Sequence, residues 1–305
     1  MYPDGAEAQS LALYWDNAIP YGNMLLSLGG RYNQYTVKAS DQTFHNLEIN
    51  PSAWIGSASL MYSLHPHHKV YGSVSQGFRA PNINDMSTLG AFDYGIEVPS
   101  TALAPERTIN YELGYKARMN AMSGALAVYR CNLSDLIDRV AGSYNGSDYY
   151  ENQRVYSKQN VDEAFIWGFE SELEYQISLH LAAFGSVIYT YGQKTSTDEP
   201  MRRIPPLNGQ IGLRFSSEQP LWGEARLLLA TKQDRLAAGD RDDHRIPKGG
   251  TPGWTVFNLT GGYTLFTRLD VMLGMLNLFN EAYRFHGSGV DGYGRSLWLG
   301  VKYRI

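Results

Sequence analysis

Between Ile109 and Arg118 the chain alternates residue by residue, with Ile109, Tyr111, Leu113, Tyr115 and Ala117 on odd positions and Asn110, Glu112, Gly114, Lys116 and Arg118 on even ones. Successive side chains of a strand point to opposite faces, so a period of two defines one apolar and one polar face. The same pattern runs through 164–175, where Phe165, Trp167, Phe169, Leu173 and Tyr175 oppose Gly168, Glu170, Glu172 and Glu174. At the C-terminus Leu297, Leu299, Val301, Tyr303 and Ile305 alternate with Ser296, Gly300, Lys302 and Arg304, and only Trp298 breaks the rule.

Extending this reading predicts about thirteen strands, near 8–18, 23–38, 52–64, 68–79, 107–118, 123–138, 155–177, 179–191, 207–217, 222–233, 253–265, 268–281 and 294–305. Short connections, such as Pro66-His67-His68 and Met119-Asn120-Ala121, alternate with long ones at 39–51, 80–106, 139–154, 192–206, 234–252 and 282–293. Short turns at one end and long loops at the other are the pattern of an outer-membrane β-barrel. A soluble sandwich also alternates, but its strands average about 5 or 6 residues, and no blade-length repeat points to a propeller. Tyr and Trp near strand ends, such as Trp15, Tyr62, Tyr71, Tyr175 and Tyr191, suit aromatic girdles.

Composition narrows the alternatives. Aromatics make up 13% of the 305 residues and charged residues only 18%. No apolar run approaches the roughly 18 residues that a spanning helix requires. A net charge of -4 offers no basic field for a nucleic-acid backbone, so no nucleic-acid partner is expected. Cys131 is the single cysteine, and the seven scattered histidines show no structural zinc spacing, so no metal site or resident cofactor is expected. The residues Met1 to Gly5 do not resemble a secretory signal, and export would require one upstream.

Counting directions back from a final strand that runs toward the periplasm makes the first strand run the same way. The strand number is then odd, whereas single-chain bacterial barrels are even, and open sheet edges are not satisfied in hydrocarbon. The expectation is that residues 1–305 form the C-terminal portion of a larger barrel, starting inside an extracellular loop.

Ser75-Gln76-Gly77-Phe78-Arg79-Ala80-Pro81, then Leu103-Ala104-Pro105-Glu106 and Asn110-Tyr111-Glu112-Leu113-Gly114-Tyr115-Lys116, resemble the barrel of TonB-dependent outer-membrane receptors. Ile204-Pro205-Pro206-Leu207-Asn208-Gly209, Pro252-Gly253-Trp254-Thr255-Val256 and Asn277-Leu278-Phe279-Asn280-Glu281-Ala282-Tyr283-Arg284 continue the resemblance in the same order. It implies an all-β fold: about 13 antiparallel strands of a 22-stranded transmembrane barrel, with the N-terminal plug domain and about nine strands absent. It further implies TonB-energised uptake of a scarce nutrient, with outer-membrane lipid, the plug, the TonB complex and the nutrient as partners. The Phe-Arg-Ala-Pro box looks closest to the heme and hemoglobin branch, in which a His often lies between this box and a second one. Residues 82–104 hold no His, so ferric siderophore, cobalamin and other TonB substrates stay open beside an iron complex or heme.

Parity places Arg31, Glu112, Lys116, Glu170, Glu172, Glu174 and Arg214 on the inner, plug-facing wall. Alternate carboxylates on one strand sit roughly 6 to 7 Å apart, which every barrel wall produces, so no catalytic residues are assigned and the chain is read as no enzyme. A passive porin and a membrane-embedded hydrolase are the competing readings. Arg79 is expected either to meet an anionic ligand or to hold the mouth of loop 80–106. That loop is too long for a simple hairpin and offers Asp85, Phe92 and Tyr94 as a candidate binding wall. His45, His244 and His286 lie in loops expected to be extracellular and are the candidate imidazoles for heme iron. The mixed charge of loop 234–252 is expected either to close over a ligand or to cap the barrel by internal pairing. His65, His67 and His68 are assigned to a solvated periplasmic turn.

Overall fold

The computed structural model describes residues 6–41, 45–86, 90–92, 95–100, 102–217 and 220–304. Its elements in chain order are β1 (Glu7–Tyr21), β2 (Met24–Asp41), β3 (His45–Ile49), β4 (Ser52–His65), β5 (His68–Arg79), α1 (Ile83–Met86), β6 (Gly90–Phe92), β7 (Gly95–Val98), β8 (Glu106–Arg118), β9 (Met122–Ala141), β10 (Tyr149–Tyr150), β11 (Gln153–Ser178), β12 (Leu181–Lys194), β13 (Asn208–Ser216), β14 (Leu221–Ala230), α2 (Ala238–Arg241), β15 (Trp254–Leu265), β16 (Leu269–Leu276) and β17 (Ser296–Tyr303). Thirteen of the strands are long, and they pair antiparallel with their chain neighbours in one sheet, from β1 through β2, β4, β5, β8, β9 and β11 to β17. These are the thirteen segments that the alternation predicts. The short β3, β6, β7 and β10 are decorations of the long loops.

Register carries the parity from strand to strand. Leu113 faces Gly72 and Val128 across the ladders, while Glu112 faces Ser73 and Tyr129. Leu113, Val128, Trp167, Leu173, Ile211, Leu299 and Val301 are exposed on the apolar face, as lipid-facing residues of a barrel must be. Residues from β5, β8, β9, β11, β12 and β13 line a single cavity of about 990 Å³ on the other face, so the sheet curves around its polar side.

Several aromatic side chains cover glycines at paired positions of the next strand. On the inner face Tyr71 covers Gly114, Tyr129 covers Gly168, Phe184 covers Gly212, Trp222 covers Gly262 and Trp298 covers Gly274. A glycine there leaves room for the ring to lie along the sheet, which restores the contact area that a missing side chain forfeits. Trp298, the residue that breaks the C-terminal alternation, is therefore an inward ring seated on Gly274.

Three boundaries differ from the sequence reading. The segment 268–281 leaves the sheet at Leu276, because Asn277 and Asn280 adopt left-handed φ values of 50° and 55° and turn the chain. The Asn277 side chain holds this turn, donating to the Glu281 and Tyr293 carbonyls at 2.8 and 2.9 Å. The segment 222–233 likewise ends at Ala230, and residues expected as plain loop at 39–51 include β3, which extends β2 by pairing with it. Buried apolar clusters lie above the wall: Val37, Met86 and Leu103; Ile96, Val98 and Val155; and Ala230, Trp254 and Val256. Core-like packing thus belongs to the loop end, where it fixes the loops against the strand tips.

Candidate functional site: the inner wall and its loop crown

Inward side chains of the lower wall are chained by charge. Arg214 donates to Glu224 at 3.1 Å and to Glu174 at 3.4 Å, and Arg226 donates to Glu224 at 2.9 Å. Both guanidiniums stand over the Phe184 ring, at 4.9 and 5.5 Å from its centre. The Tyr71 hydroxyl donates to Glu112 at 2.7 Å, and the Lys116 ammonium sits 5.4 Å from the Tyr71 ring centre. Glu170 and Glu172 line the same cavity and form no ion pair among the described residues. Arg31 bonds Asn33 at 2.7 Å near the opposite edge of the sheet, away from this group. Glu224 and Arg226 share the parity of Arg214, and this alternation is the sequence signal that marks them as inward.

Loop 80–106 is fastened at its base. Arg79, the last residue of β5, pairs with Glu106, the first of β8, and donates to Asp85 at 2.6 Å. Lys158 of β11 lies 3.5 Å from Asp85 and 3.3 Å from Glu97, and donates to the Asn84 carbonyl at 2.8 Å. The Glu97 side chain is 2% exposed and also pairs with Arg139 of β9. Glu106 accepts the Ile137 N–H at 2.9 Å. Burial raises the Asp85 carboxyl, but the Asn82 backbone N–H, the Arg79 guanidinium and the Lys158 ammonium outweigh it and hold it below the ordinary carboxylate range. Arg79 and Asp85 thus spend their charge on one another, which realises the anchoring alternative for Arg79. Asp85 and Glu97 are thus matched by cations from distant strands, Lys158 of β11 and Arg139 of β9. Glu97, Lys158 and Arg139 could not be found by inspection because nothing local in the sequence pairs them. Phe92 belongs to β6, and Tyr94 lies outside the described residues.

Loop 234–252 follows the internal-pairing alternative. Asp240, 1% exposed, accepts the Arg203 N–H at 2.8 Å and lies 3.3 Å from the Arg202 guanidinium. Asp243 bonds Arg203 at 3.2 Å and Arg245 at 2.6 Å. The loops after β12 and β14 therefore close on each other. His286 is half-buried beneath them, with Nδ1 2.9 Å from the Thr251 hydroxyl and Nε2 occluded without a partner among the described residues. Burial pushes its imidazole below the ordinary value. His244 is exposed on its turn, and the side chain of His45 falls outside the described set.

A curved meander with an apolar outer face, a charge-lined inner face and a crown of fixed loops defines the wall of an outer-membrane transport barrel. The chain belongs to the TonB-dependent receptor family: residues 1–278 match the model described as TonB dependent receptor-like, beta-barrel. An iron-regulated outer membrane virulence protein of Vibrio cholerae is 26% identical over 255 residues, covering 79% of this chain and 38% of that protein. The hemin receptor of Yersinia enterocolitica is 25% identical over 306 residues, covering 90% of this chain and 42% of the receptor. Among solved structures, the copper transporter OprC superposes with a TM-score of 0.80 at 19% identity over 98% of this chain and 48% of its own. The FrpB iron transporter from Neisseria meningitidis gives 0.76 at 18% identity over 98% and 45%. The chain spans about two fifths of the length of the curated relatives it matches.

Proposed function

We propose that this chain supplies wall and loops of a TonB-energised receptor that imports an iron complex or heme across the outer membrane. In this reading residues 1–305 act with a plug domain and about nine further strands, and the TonB complex engages the receptor through that remaining part. The observation that carries it is the inner wall. Lys116, Glu170, Glu172, Glu174 and Arg214 present both signs of charge toward the cavity, with Glu112 on the same face of the sheet, which suits docking a folded polar domain rather than leaving a single-sign ion path. The names of the Vibrio and Yersinia relatives supply the substrate class.

The test is uptake of radiolabelled ferric siderophore and of hemin by cells that carry the intact gene, with and without a working TonB. Uptake that stops without TonB supports the reading, and uptake that continues unchanged would make the barrel a passive porin. Uptake of neither iron source, with cobalamin imported instead, would move the substrate class.

A further inference from the structure

Three of the seven histidines stand within four consecutive residues, His65-Pro66-His67-His68, at the tight turn between β4 and β5. This is the short-turn, periplasmic end of the barrel, across the membrane from the loop crown. A shift of register between Ser63 and His65 brings His65 directly opposite His68, and Pro66 and His67 form the two-residue connection. Proline presets φ at the first corner of such a turn. The Arg118 N–H donates to the His67 carbonyl at 2.9 Å and ties the connection to β8.

The His65 ring is the middle one of the three. Its centre lies 5.3 Å from that of His67 and 6.0 Å from that of His68. An imidazole nitrogen sits about 2.0–2.1 Å from a bound zinc ion, which puts each ring centre roughly 3 Å from the metal and two tetrahedral ligands about 5 Å apart, centre to centre. The backbone therefore already spaces the rings as ligands of one ion. No three donors converge on one point among the described residues, so rotation of the side chains remains. His65 and His67 are exposed at the turn, where such rotation takes nanoseconds or less.

His68, partly buried, is the fixed member. Its Nδ1 lies 2.6 Å from the Tyr115 hydroxyl of β8, and the two rings stack with planes 17° from parallel. With Nδ1 donating to that hydroxyl, Nε2 carries the lone pair, which is how a neighbouring group orients a metal-ligating imidazole. His65 receives the His67 N–H on Nδ1 at 3.4 Å, a long contact that costs little to give up. The turn offers imidazole nitrogen and no carboxylate, a donor set that suits zinc, copper or nickel and not calcium or magnesium. His68 pairs with Ala117 on the outward side, whereas His67 lines the inner cavity beside Lys69. An ion held by all three rings thus sits on the rim of the cavity.

We infer that His65, His67 and His68 bind one divalent transition-metal ion of the zinc class through their imidazole nitrogens at the periplasmic rim of the barrel, with water completing its shell. The ion ties the end of β4 to the start of β5 and fixes His67 at the cavity mouth. The site is separate from the loop crown and does not depend on the nutrient proposed above.

The test uses the whole receptor without a polyhistidine tag, stripped with a chelator, freed of it by dialysis and titrated with Zn2+ in a calorimeter. The expected result is saturable Zn2+ binding that weakens at least ten-fold in His65→Gln/His67→Gln/His68→Gln and is unmoved in His180→Gln, which alters a single histidine on another short turn. A second measurement uses the unsubstituted receptor, so that it does not rest on the folding of a variant. Saturating Zn2+ should shield His65, His67 and His68, but not His180, from carbethoxylation by diethyl pyrocarbonate, mapped by mass spectrometry. Equal Zn2+ affinity in the triple variant would overturn the proposal, as would an equal loss in His180→Gln. Displacement of Zn2+ by Ca2+ at matched concentration, or three rings that react as fast with the ion as without it, would overturn it equally.

Discussion

The Tyr71 ring covers Gly114 across the β5–β8 ladder, and its hydroxyl reaches on to Glu112 at 2.7 Å, so one residue both fills a gap in the wall and fixes a lumen carboxylate. A side chain at 114 would overlap the ring. Gly114→Val is expected to destabilise the barrel by about 1–3 kcal/mol, the range for overpacking a tight site. Gly146, which has open space around its α-carbon but a φ of 81°, serves as the comparison through Gly146→Asn, a residue that tolerates this conformation. Urea unfolding in lipid vesicles, followed by tryptophan fluorescence, measures both.

The two faces should respond oppositely to charge. Leu113→Arg, Trp167→Arg and Leu299→Arg each place a cation in hydrocarbon and are expected to cost about 2–4 kcal/mol near the midplane, falling toward the interfaces. Glu112→Gln and Glu170→Gln on the inner wall should change stability by less than about 1 kcal/mol, since Glu170 lines the cavity and Glu112 is only partly buried on the same face. Folding yield into vesicles separates the sets, and equal tolerance would refute the register.

The base of loop 80–106 should be sensitive to Glu97. With its side chain 2% exposed between Arg139 and Lys158, Glu97→Gln leaves two cations facing a neutral amide. The expected local cost is about 3 kcal/mol, at the low end for a broken buried pair because Arg139 is partly exposed. Limited proteolysis should then cut within 80–106 while the strands stay intact.

Acid should release the same loop. Asp85 has its carboxyl held below the ordinary range in the folded state, so its stabilising share is complete above the free value of about 4. That share is lost as pH falls through the depressed folded value. Protease resistance of the loop is expected to be level from pH 8 to about 5 and to decline below about 4. Asp85→Asn should abolish Asp85's part of the decline.

If heme is the cargo, the two described candidate histidines should differ. His244 stands exposed, whereas His286 has Nδ1 against Thr251 and Nε2 shut off from solvent. His244→Ala is expected to move the heme absorption bands and His286→Ala to leave them in place. The reverse result would require the loop that carries His286 to open on binding.

Much of this architecture was legible in the residues. Thirteen strands, their facing and the sites of the long loops follow from a period of two, because a wall with lipid on one side and polar surface on the other forces that pattern over 8 to 26 residues at a time. The inward placement of Glu112, Lys116, Glu174 and Arg214 follows by the same rule. The loop crown was not legible. Lys158 meets Asp85 from 73 positions away and Arg203 meets Asp243 from 40, and no local periodicity encodes such partners. The short β6–β7 hairpin and the turn at Asn277 escaped for a related reason, since both are set by contacts with other segments.

The five inner ring-on-glycine pairs fall at β5–β8, β9–β11, β12–β13, β14–β15 and β16–β17, and each joins strands separated by a long loop. The neighbouring seams β4–β5, β8–β9, β11–β12, β13–β14 and β15–β16 are closed by tight turns, which set their own alignment. A slip of one residue at a long-loop seam would turn every lipid-facing side chain into the lumen, and no turn stands there to prevent it. The rings act as alignment pins at those joints. Assembly can therefore proceed with turn-closed hairpins as the prefabricated parts, each sliding along the last until an aromatic ring drops onto its glycine and stops the motion.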